Sequence, residues 1–201
     1  MYRAFNEGVL RYVPLDVVER RVREYAESEE TQAEINEPLL RHLADAKKKH
    51  GFPAAILSAS SRLGIELALQ KMGYGKLFDK VVGNDFRETP QGCRFDLRIR
   101  ERDRTRHLGK LIGDFGAKLE TTALMDSRQD LLAIVGYPIL SPYAYADSDE
   151  RMRSELGRQR DHRELVFAEE PSDYERRGPF IVGDSLDFQA ILEELAGEPS
   201  A

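Results

Sequence analysis

The sequence lacks the features that mark several common classes of protein. It contains one cysteine, Cys93, so no disulfide can form within the chain, and its four histidines lack zinc-ligand spacing such as H-x3-H. No stretch approaches the roughly 18 consecutive apolar residues of a membrane helix. Residues Met1–Glu7 lack the basic start and apolar run of a secretion signal. Acidic residues outnumber basic ones by 36 to 30, whereas proteins that coat nucleic acids carry a basic excess. We therefore expect a soluble, cytoplasmic protein with neither a membrane nor a nucleic-acid partner.

The composition is that of a globular protein with an α/β core. The 201 residues are 41% hydrophobic, which is enough for one core with a small appendage. Over residues 1–50 apolar side chains recur at steps of three and four, which predicts helices, with a break at Pro14 and a stop at Gly51. After Gly51 short apolar strands alternate with helices, which indicates a mainly parallel sheet. We predict a helical cap segment over 1–50 and an α/β core over 51–201 with a charged insertion at about 146–177.

Two of the predicted strands end in polar loops that could carry chemistry. One loop begins at Ser58, and the other begins at Asp126 with Asp130 four residues later. Ligands of parallel α/β sheets bind at the carboxyl ends of strands, and carboxylates there suit Mg²⁺. The spacing also allows a purely structural role, in which Asp126 or Ser127 caps the following helix and Ser58 caps the helix through Leu63.

Together the two loops resemble those of the haloacid dehalogenase superfamily, in particular its phosphoserine-phosphatase-like branch. Ala54–Ser60 is similar to motif II, a hydrophobic strand that ends in Ser or Thr. Met125–Ile139 is similar to motif IV, in which G-D-S-x-x-D precedes leucines and a V-G-x-P segment, with Met125 in the glycine position. Val81–Phe86 and the hairpin that follows also match this branch, so the resemblance covers about Gly51–Pro142.

The resemblance implies both a fold and a reaction. The fold is a Rossmann-like three-layer sandwich with a mainly parallel sheet and a small helical cap. The reaction is Mg²⁺-dependent hydrolysis of a small phosphorylated metabolite through an aspartyl-phosphate. Asp126 corresponds to a metal ligand, Asp130 to a ligand or a partner that acts through water, and Ser58 to a hydrogen-bond donor for a phosphate oxygen. The motif III cation corresponds to Arg104 by helix phase or to Lys110 by residue type.

One element of the family pattern has no counterpart before Ser58. Motif I, a strand ending in D-x-D-x-[TS], supplies the nucleophile and the general acid/base, whereas Asp16 and Asp45 lie inside helical patterns. The late segment Ile181–Asp187 mimics the G-D-S of motif IV but spaces its aspartates three apart, which fits a helix cap better. In the family the motif I strand lies between the strands of motifs II and IV, so its absence predicts a gap in the sheet.

Two interpretations of this departure stay open. In the first, the chain is an N-terminally incomplete version of a longer phosphohydrolase and lacks the nucleophile. In the second, it is a catalytically inactive module of the superfamily that binds or regulates a partner. The charged stretch at 147–177 would then be either an interaction surface or an ordinary solvated face.

Overall fold

The computed structural model describes residues 10–33, 35–100, 103–126, 129–132, 134–140, 180–182 and 184–196. The described helices are α1 (Leu15–Ala26), α2 (Glu29–Ala33), α3 (Glu37–His50), α4 (Arg62–Lys71), α5 (Arg104–Asp114), α6 (Gln129–Leu132) and α7 (Ser185–Ala196). The described strands are β1 (Ala55–Ser61), β2 (Lys80–Thr89), β3 (Gly92–Asp96), β4 (Ala123–Asp126), β5 (Tyr137–Leu140) and β6 (Phe180–Ile181). Short 3₁₀ turns lie at Leu10–Tyr12 and Leu119–Thr121.

The chain divides into two compact units. The first comprises Met1–Gln32 with Pro53–His107, and the second comprises Ala33–Phe52 with Leu108–Ala201. Each unit contains one of the two described sheets, ordered β1-β2-β3 in the first and β4-β5-β6 in the second. The division at residue 50 into a cap and a core stays a prediction.

The first unit is built around a hairpin that packs on α1 and the first 3₁₀ turn. β1 and β2 are parallel, and β2 and β3 form the antiparallel hairpin that the turn residues Pro90–Gly92 predict. Phe86 and Phe95 lie opposite each other, with ring centroids 4.9 Å apart. The buried residues of this core are Leu10, Val18, Cys93 and Phe95. Apolar and polar residues alternate in the sequence as far as Ile99, which predicts a longer strand, whereas β3 ends at Asp96.

The second unit has an entirely parallel sheet and a core on which two helices pack. β4 pairs with β5, and β5 pairs with β6, all in parallel. Helix α3 packs against α7. The buried residues of the core that they share with the sheet are Leu39, Ala46, Ile139, Val182, Phe188, Ile191 and Leu192. Parallel strands covered by helices are the arrangement that alternating strands and helices predict.

The entry into β5 depends on close backbone packing at Gly136. Its N–H donates to the carbonyl of Leu119 at 2.8 Å, and the N–H of Tyr137 donates to the carbonyl of Thr122 at 3.1 Å. A Cβ at position 136 would overlap the carbonyl oxygen of Glu120. Only glycine lets β5 begin this close to the turn that leads into β4. This packing accounts for the glycine of the V-G-x-P segment.

Two helix boundaries that the sequence predicts, at Pro14 and Gly51, are confirmed. Pro14 is the N-cap residue of α1, so the break predicted there is confirmed. Asn36 caps α3, because its side-chain oxygen accepts a hydrogen bond from Leu39 N at 3.1 Å. Gly51 ends α3 in the left-handed conformation and confirms the predicted stop. The basic residues Lys47–His50 in the last turn complement the helix dipole.

The structure confirms the fold class at the level of a mixed α/β protein with two small sheets, one of them entirely parallel. This arrangement is consistent with the α/β fold that the resemblance implies. None of the described helices is long and apolar enough to cross a membrane. The predicted charged insertion at about 146–177 lies outside the described residues.

Candidate functional site

The polar loop that follows the apolar part of β1 has a defined conformation. Ala55–Leu57 pair in register with Lys80–Val82, and pairing resumes at Ser61 opposite Asn84 after a shift in register. Within the intervening stretch, Ser60 N donates to the hydroxyl oxygen of Ser58 at 3.1 Å. Accepting this bond does not use the hydroxyl's own proton. The half-buried Ser58 can therefore still donate a hydrogen bond to a ligand.

The cap of the helix after this loop is Ser61. Its hydroxyl oxygen accepts a hydrogen bond from Gly64 N at 3.3 Å, and α4 begins at Arg62. The alternative in which Ser58 caps this helix is therefore wrong. The reason is that β1 continues to Ser61, three residues beyond the apolar run. The loop separates the two tasks, because Ser61 holds the helix end and Ser58 does not.

Asn84 holds the loop from the neighbouring strand. Its side chain is fully buried, and its Nδ2 donates to the carbonyls of Ala59 at 2.7 Å and Ile99 at 3.0 Å. Its Oδ1 accepts a hydrogen bond from Ile99 N at 2.7 Å. Sequence reasoning missed Asn84 as a site residue. The signal that could have found it is strand periodicity, which places Asn84 on the same face as the core residue Phe86.

The start of α4 also packs closely against β2. A Cβ on Gly83 would lie 2.9 Å from both the backbone nitrogen and the Cα of Arg62. Real Cβ atoms essentially never approach backbone this closely. Gly83 therefore lets the loop and the first turn of α4 lie directly on the strand.

Asp126 is the last residue of β4, where the sequence predicts a carboxylate at a strand end. It is half-buried and pairs in register with Leu140 of β5. The following helix α6 contains Asp130, whose side chain lies outside the described part of the structure, as does Ser127. The cap interpretation of this loop therefore stays open. The adjoining Leu132 is fully buried and anchors the helix.

The two candidates for the motif III cation occupy different positions on α5. Arg104 is its first residue and is half-buried, whereas Lys110 is exposed on a later turn. Arg104 belongs to the same unit as Ser58, and Lys110 belongs to the unit of Asp126. The position of Arg104 at the start of the helix agrees with the argument from helix phase. The choice between the two cations stays a prediction.

The structure also describes three aspartates that were compared with family motifs in the sequence. Asp16 and Asp45 were compared with motif I, and Asp184 was compared with motif IV. Asp16 lies in α1 and Asp45 in α3, and both are exposed. Neither follows a strand, which confirms that neither occupies a motif I position. Asp184 is buried, and its Oδ1 accepts from Leu186 N at 3.0 Å and Asp187 N at 2.9 Å. The predicted role of Asp184 as a helix cap is therefore confirmed.

Cys93 is a core residue rather than a reactive thiol. It lies in β3 with 1% of its surface exposed. Burial raises the pKa of the Cys93 thiol above its ordinary value. A thiol that is both inaccessible and harder to ionise is a poor nucleophile at neutral pH.

The described residues do not form a complete magnesium site. Nowhere in these ranges do three or more His, Cys, Asp or Glu side chains converge in a way that could hold a metal ion. Asp126 is the one predicted ligand whose side chain the structure describes. Mg²⁺ keeps its waters unless several carboxylate or phosphate oxygens converge on it. A single carboxylate therefore does not fit the requirements of the ion.

Each strand that carries a candidate residue has a neighbour on one side only, as far as the described residues go. β1 is hydrogen-bonded to β2, and β4 is hydrogen-bonded to β5, while no further described strand pairs with either. Strand edges present unpaired N–H and C=O groups that can accept another strand. The ends of β1 and β4 therefore each combine a candidate functional residue with an edge that can accept a strand.

Comparison with known proteins supports the resemblance seen in the motifs. The family model described as haloacid dehalogenase-like hydrolase matches residues 1–149 of the 201 residues. No curated protein and no solved structure matches the chain significantly. The family match includes both the Ser58 loop and the Asp126 loop and covers well over half of the sequence. The chain belongs to the haloacid dehalogenase-like hydrolase family.

Proposed function

We propose that this protein belongs to a phosphohydrolase that cleaves small phosphomonoesters through an aspartyl-phosphate. In this proposal the nucleophile lies on a strand ending in D-x-D-x-[TS], for which the printed sequence offers no match before Ser58. The observation that carries the proposal is the Ser58 loop. It lies in the last part of a strand that pairs in parallel with β2, and the Ser58 hydroxyl proton is available for a phosphate oxygen.

The surroundings of Ser58 favour an anion. The loop leads directly into the N-terminus of α4, where the first backbone N–H groups and the helix dipole attract negative charge. Ser61 satisfies only one of these groups, Gly64 N. A phosphate oxygen near the loop would meet the Ser58 hydroxyl and the positive end of the helix. Arg104, from the same unit, is our choice for the cation that offsets the phosphate charge.

Asp126 supports the proposal from the second unit. It stands at the carboxyl end of a parallel strand, as the family's motif IV requires, and Asp130 follows in the next helix. We assign Ser58 and Asp126 to the same phosphate because of the family resemblance, and not because of the geometry of either unit. The Mg²⁺ that the resemblance implies enters the proposal as an assay condition, because one described carboxylate does not make its site.

The proposed reaction has two displacements. A carboxylate oxygen of the first aspartate of the D-x-D-x-[TS] strand attacks phosphorus, and the ester P–O bond breaks. The leaving oxygen takes a proton from the second aspartate of that strand. Water then attacks the aspartyl-phosphate and gives its proton back to the second aspartate. Inorganic phosphate leaves and the first carboxylate is restored. Ser58 stabilises the charge on the transferring group by donating a hydrogen bond.

The test is hydrolysis of p-nitrophenyl phosphate by three versions of the protein. One is the 201-residue chain, and another carries a strand ending in D-x-D-x-T joined in front of Met1. A third version carries the same strand with its first aspartate replaced by asparagine. Each is assayed with Mg²⁺ and with EDTA. Asp126→Asn is compared with Asp45→Asn, which changes an exposed aspartate inside α3.

We expect turnover only from the version with the intact strand and only with Mg²⁺. Asp126→Asn should lower its kcat/KM by about 100-fold or more, while Asp45→Asn leaves it unchanged. If the extended protein is folded and binds the added strand but releases no phosphate, the phosphohydrolase proposal fails. A binding or regulatory module would then be the better interpretation.

A further inference from the structure

We infer that Asn84 is a positioning residue that fixes the Ser58 loop and joins it to the segment leading into α5. The inference starts from the hydrogen bonds of one side chain. The Asn84 amide is fully buried, and its three hydrogen bonds all go to backbone groups. Two of these groups belong to Ile99 and one belongs to Ala59. These residues are 15 and 25 positions away in the sequence.

The hydrogen bond from Asn84 to Ala59 lies where the regular hydrogen bonding between β1 and β2 is interrupted. Between Leu57 and Ser61 the register of β1 against β2 shifts. The carbonyl of Ala59 therefore receives a side-chain donor, at 2.7 Å, in the stretch where regular strand pairing is interrupted. The bond is partly buried, and a carbonyl left without a donor there would be unfavourable, so this bond favours the observed loop conformation. Ala59 adjoins Ser58, and its position constrains the direction of the Ser58 hydroxyl.

The bonds to Ile99 fix a second segment to the same side chain. Asn84 both donates to and accepts from the backbone of Ile99, whose side chain is 1% exposed. This pair of bonds resembles the exchange between two strands, although β3 has already ended at Asp96. The segment after Ile99 leads into α5, which begins at Arg104. One buried amide thus binds both the loop of Ser58, a candidate hydrogen-bond donor to phosphate, and the segment that leads to Arg104, a candidate cation of the same unit.

Gly83 and Ser61 complete the frame around the loop. Gly83 allows the backbone of Arg62 to lie against β2, and Ser61 caps the helix that starts there. These two residues fix the far end of the loop, and Asn84 fixes its middle. The segment Val81–Phe86 is therefore the structural support of the Ser58 loop. The role of this support in phosphate binding rests on the proposed function, whereas the positioning itself does not.

The test compares two buried asparagines that both bind backbone. Asn84→Ala removes all three bonds, and Asn84→Asp keeps a side-chain oxygen for Ile99 N but loses the amide donor to the carbonyls of Ala59 and Ile99. Asn36→Ala is the matched control, because Asn36 is also buried and holds backbone, but it caps α3 in the other unit. Amide hydrogen exchange is measured by NMR on the full chain, with the folded fraction verified by circular dichroism. Binding of inorganic phosphate is titrated in the same samples, including Ser58→Ala.

The expected result is local. Both Asn84 variants should speed exchange of the Ser60 amide about tenfold, while Asn36→Ala leaves it unchanged. The Ile99 amide should lose protection in Asn84→Ala and keep most of it in Asn84→Asp. Where the wild type binds phosphate, both Asn84 variants should weaken binding about tenfold. A general loss of stability would instead speed many amides together.

Three further outcomes decide the inference. It is overturned if Ser60 exchange is the same in Asn84→Asp as in the wild type, or if Asn36→Ala speeds it equally. Asn84→Asp serves this purpose even where Asn84→Ala fails to fold. If the Asn84 variants speed Ser60 exchange but the wild type binds no phosphate, or Ser58→Ala binds it as tightly, positioning is supported and the assignment of Ser58 to phosphate binding fails.

Discussion

The last part of β1 and the start of the β4–β5 pair are fixed in different ways. The Ser58 loop, which lies in the last part of β1, is held by side chains, with Asn84 bonded to Ala59 and the Ser58 hydroxyl accepting from Ser60. The start of β5, which pairs with the strand of Asp126, is held by backbone contacts, because Gly136 lies directly on the turn before β4. The resemblance to motif IV covers a longer segment, Met125–Ile139, than the resemblance to motif II, Ala54–Ser60. The length of a local motif therefore does not measure how a loop is held.

The contrast has a physical cause. A backbone contact such as that at Gly136 needs a small residue at one position, and this need is visible inside the motif itself. A side-chain clamp such as Asn84 acts on residues far along the chain, so the local sequence around Ser58 does not reveal it. The comparison teaches that the supporting residue of one strand end can lie on the neighbouring strand.

The largest expected effect is at Gly136. The Cβ of Gly136→Ala would overlap the carbonyl oxygen of Glu120, so we expect a loss of about 3 kcal/mol in the free energy of unfolding. The measurement is urea unfolding followed by circular dichroism. The control is Gly109→Ala in α5, where a Cβ meets nothing within 4 Å and helix propensity favours alanine. A small, equal change in both variants would contradict backbone packing as the support of β4 and β5.

A smaller effect is expected at the other strand end, from Gly83→Ala. Its Cβ would lie 2.9 Å from the Arg62 backbone, a milder overlap than that of a Cβ at Gly136 with the Glu120 carbonyl oxygen. We expect a loss of about 1–2 kcal/mol in the free energy of unfolding, with changed NMR shifts at Ser60. Equal losses for Gly83→Ala and Gly136→Ala would remove the difference between the two ends.

The smallest effect concerns the charged outer face of the β2–β3 hairpin. Asp96 Oδ2 accepts from Arg87 at 2.7 Å and from Arg98 at 2.8 Å. The hydrogen bond from Arg98 and the nearby positive charges lower the pKa of Asp96 below its ordinary value. The arginines are largely exposed, so Asp96→Asn should cost no more than about 1 kcal/mol in the free energy of unfolding.

The pH dependence gives the sign of this contribution. A carboxyl whose pKa is lower in the folded state stabilises the fold above its ordinary pKa, and this stability is lost as the pH falls through the folded pKa. The difference between wild type and Asp96→Asn should therefore be present near pH 7 and shrink as the pH falls below about 4, the ordinary pKa of an aspartate. Urea unfolding over this pH range checks it. A difference that grows in acid would show that the ion pairs do not provide it.

Part of this architecture could be predicted from the sequence. The strand end at Asp126, the stop at Gly51 and the cap at Asp184 follow from local patterns of apolar residues and cap residues, whereas β1 continues to Ser61, three residues beyond the predicted apolar run. The residues that support Ser58 could not, because their contacts join positions far apart in the chain. The end of β3 at Asp96 was missed for the same reason, since Ile99 bonds to the Asn84 side chain instead of a strand.

Ser58 and Ser61 are assigned different roles in the same loop, and one pair of variants tests this assignment. Ser58 is proposed to bind phosphate, whereas Ser61 caps α4. Phosphate release from p-nitrophenyl phosphate is measured with Ser58→Ala and Ser61→Ala, each in the version with the added D-x-D-x-T strand. We predict that Ser58→Ala lowers kcat/KM by about 100-fold with little loss of stability. Ser61→Ala should instead cost about 1 kcal/mol in the free energy of unfolding and leave most of the activity. A Ser58→Ala variant that hydrolyses the ester at the wild-type rate would contradict the account.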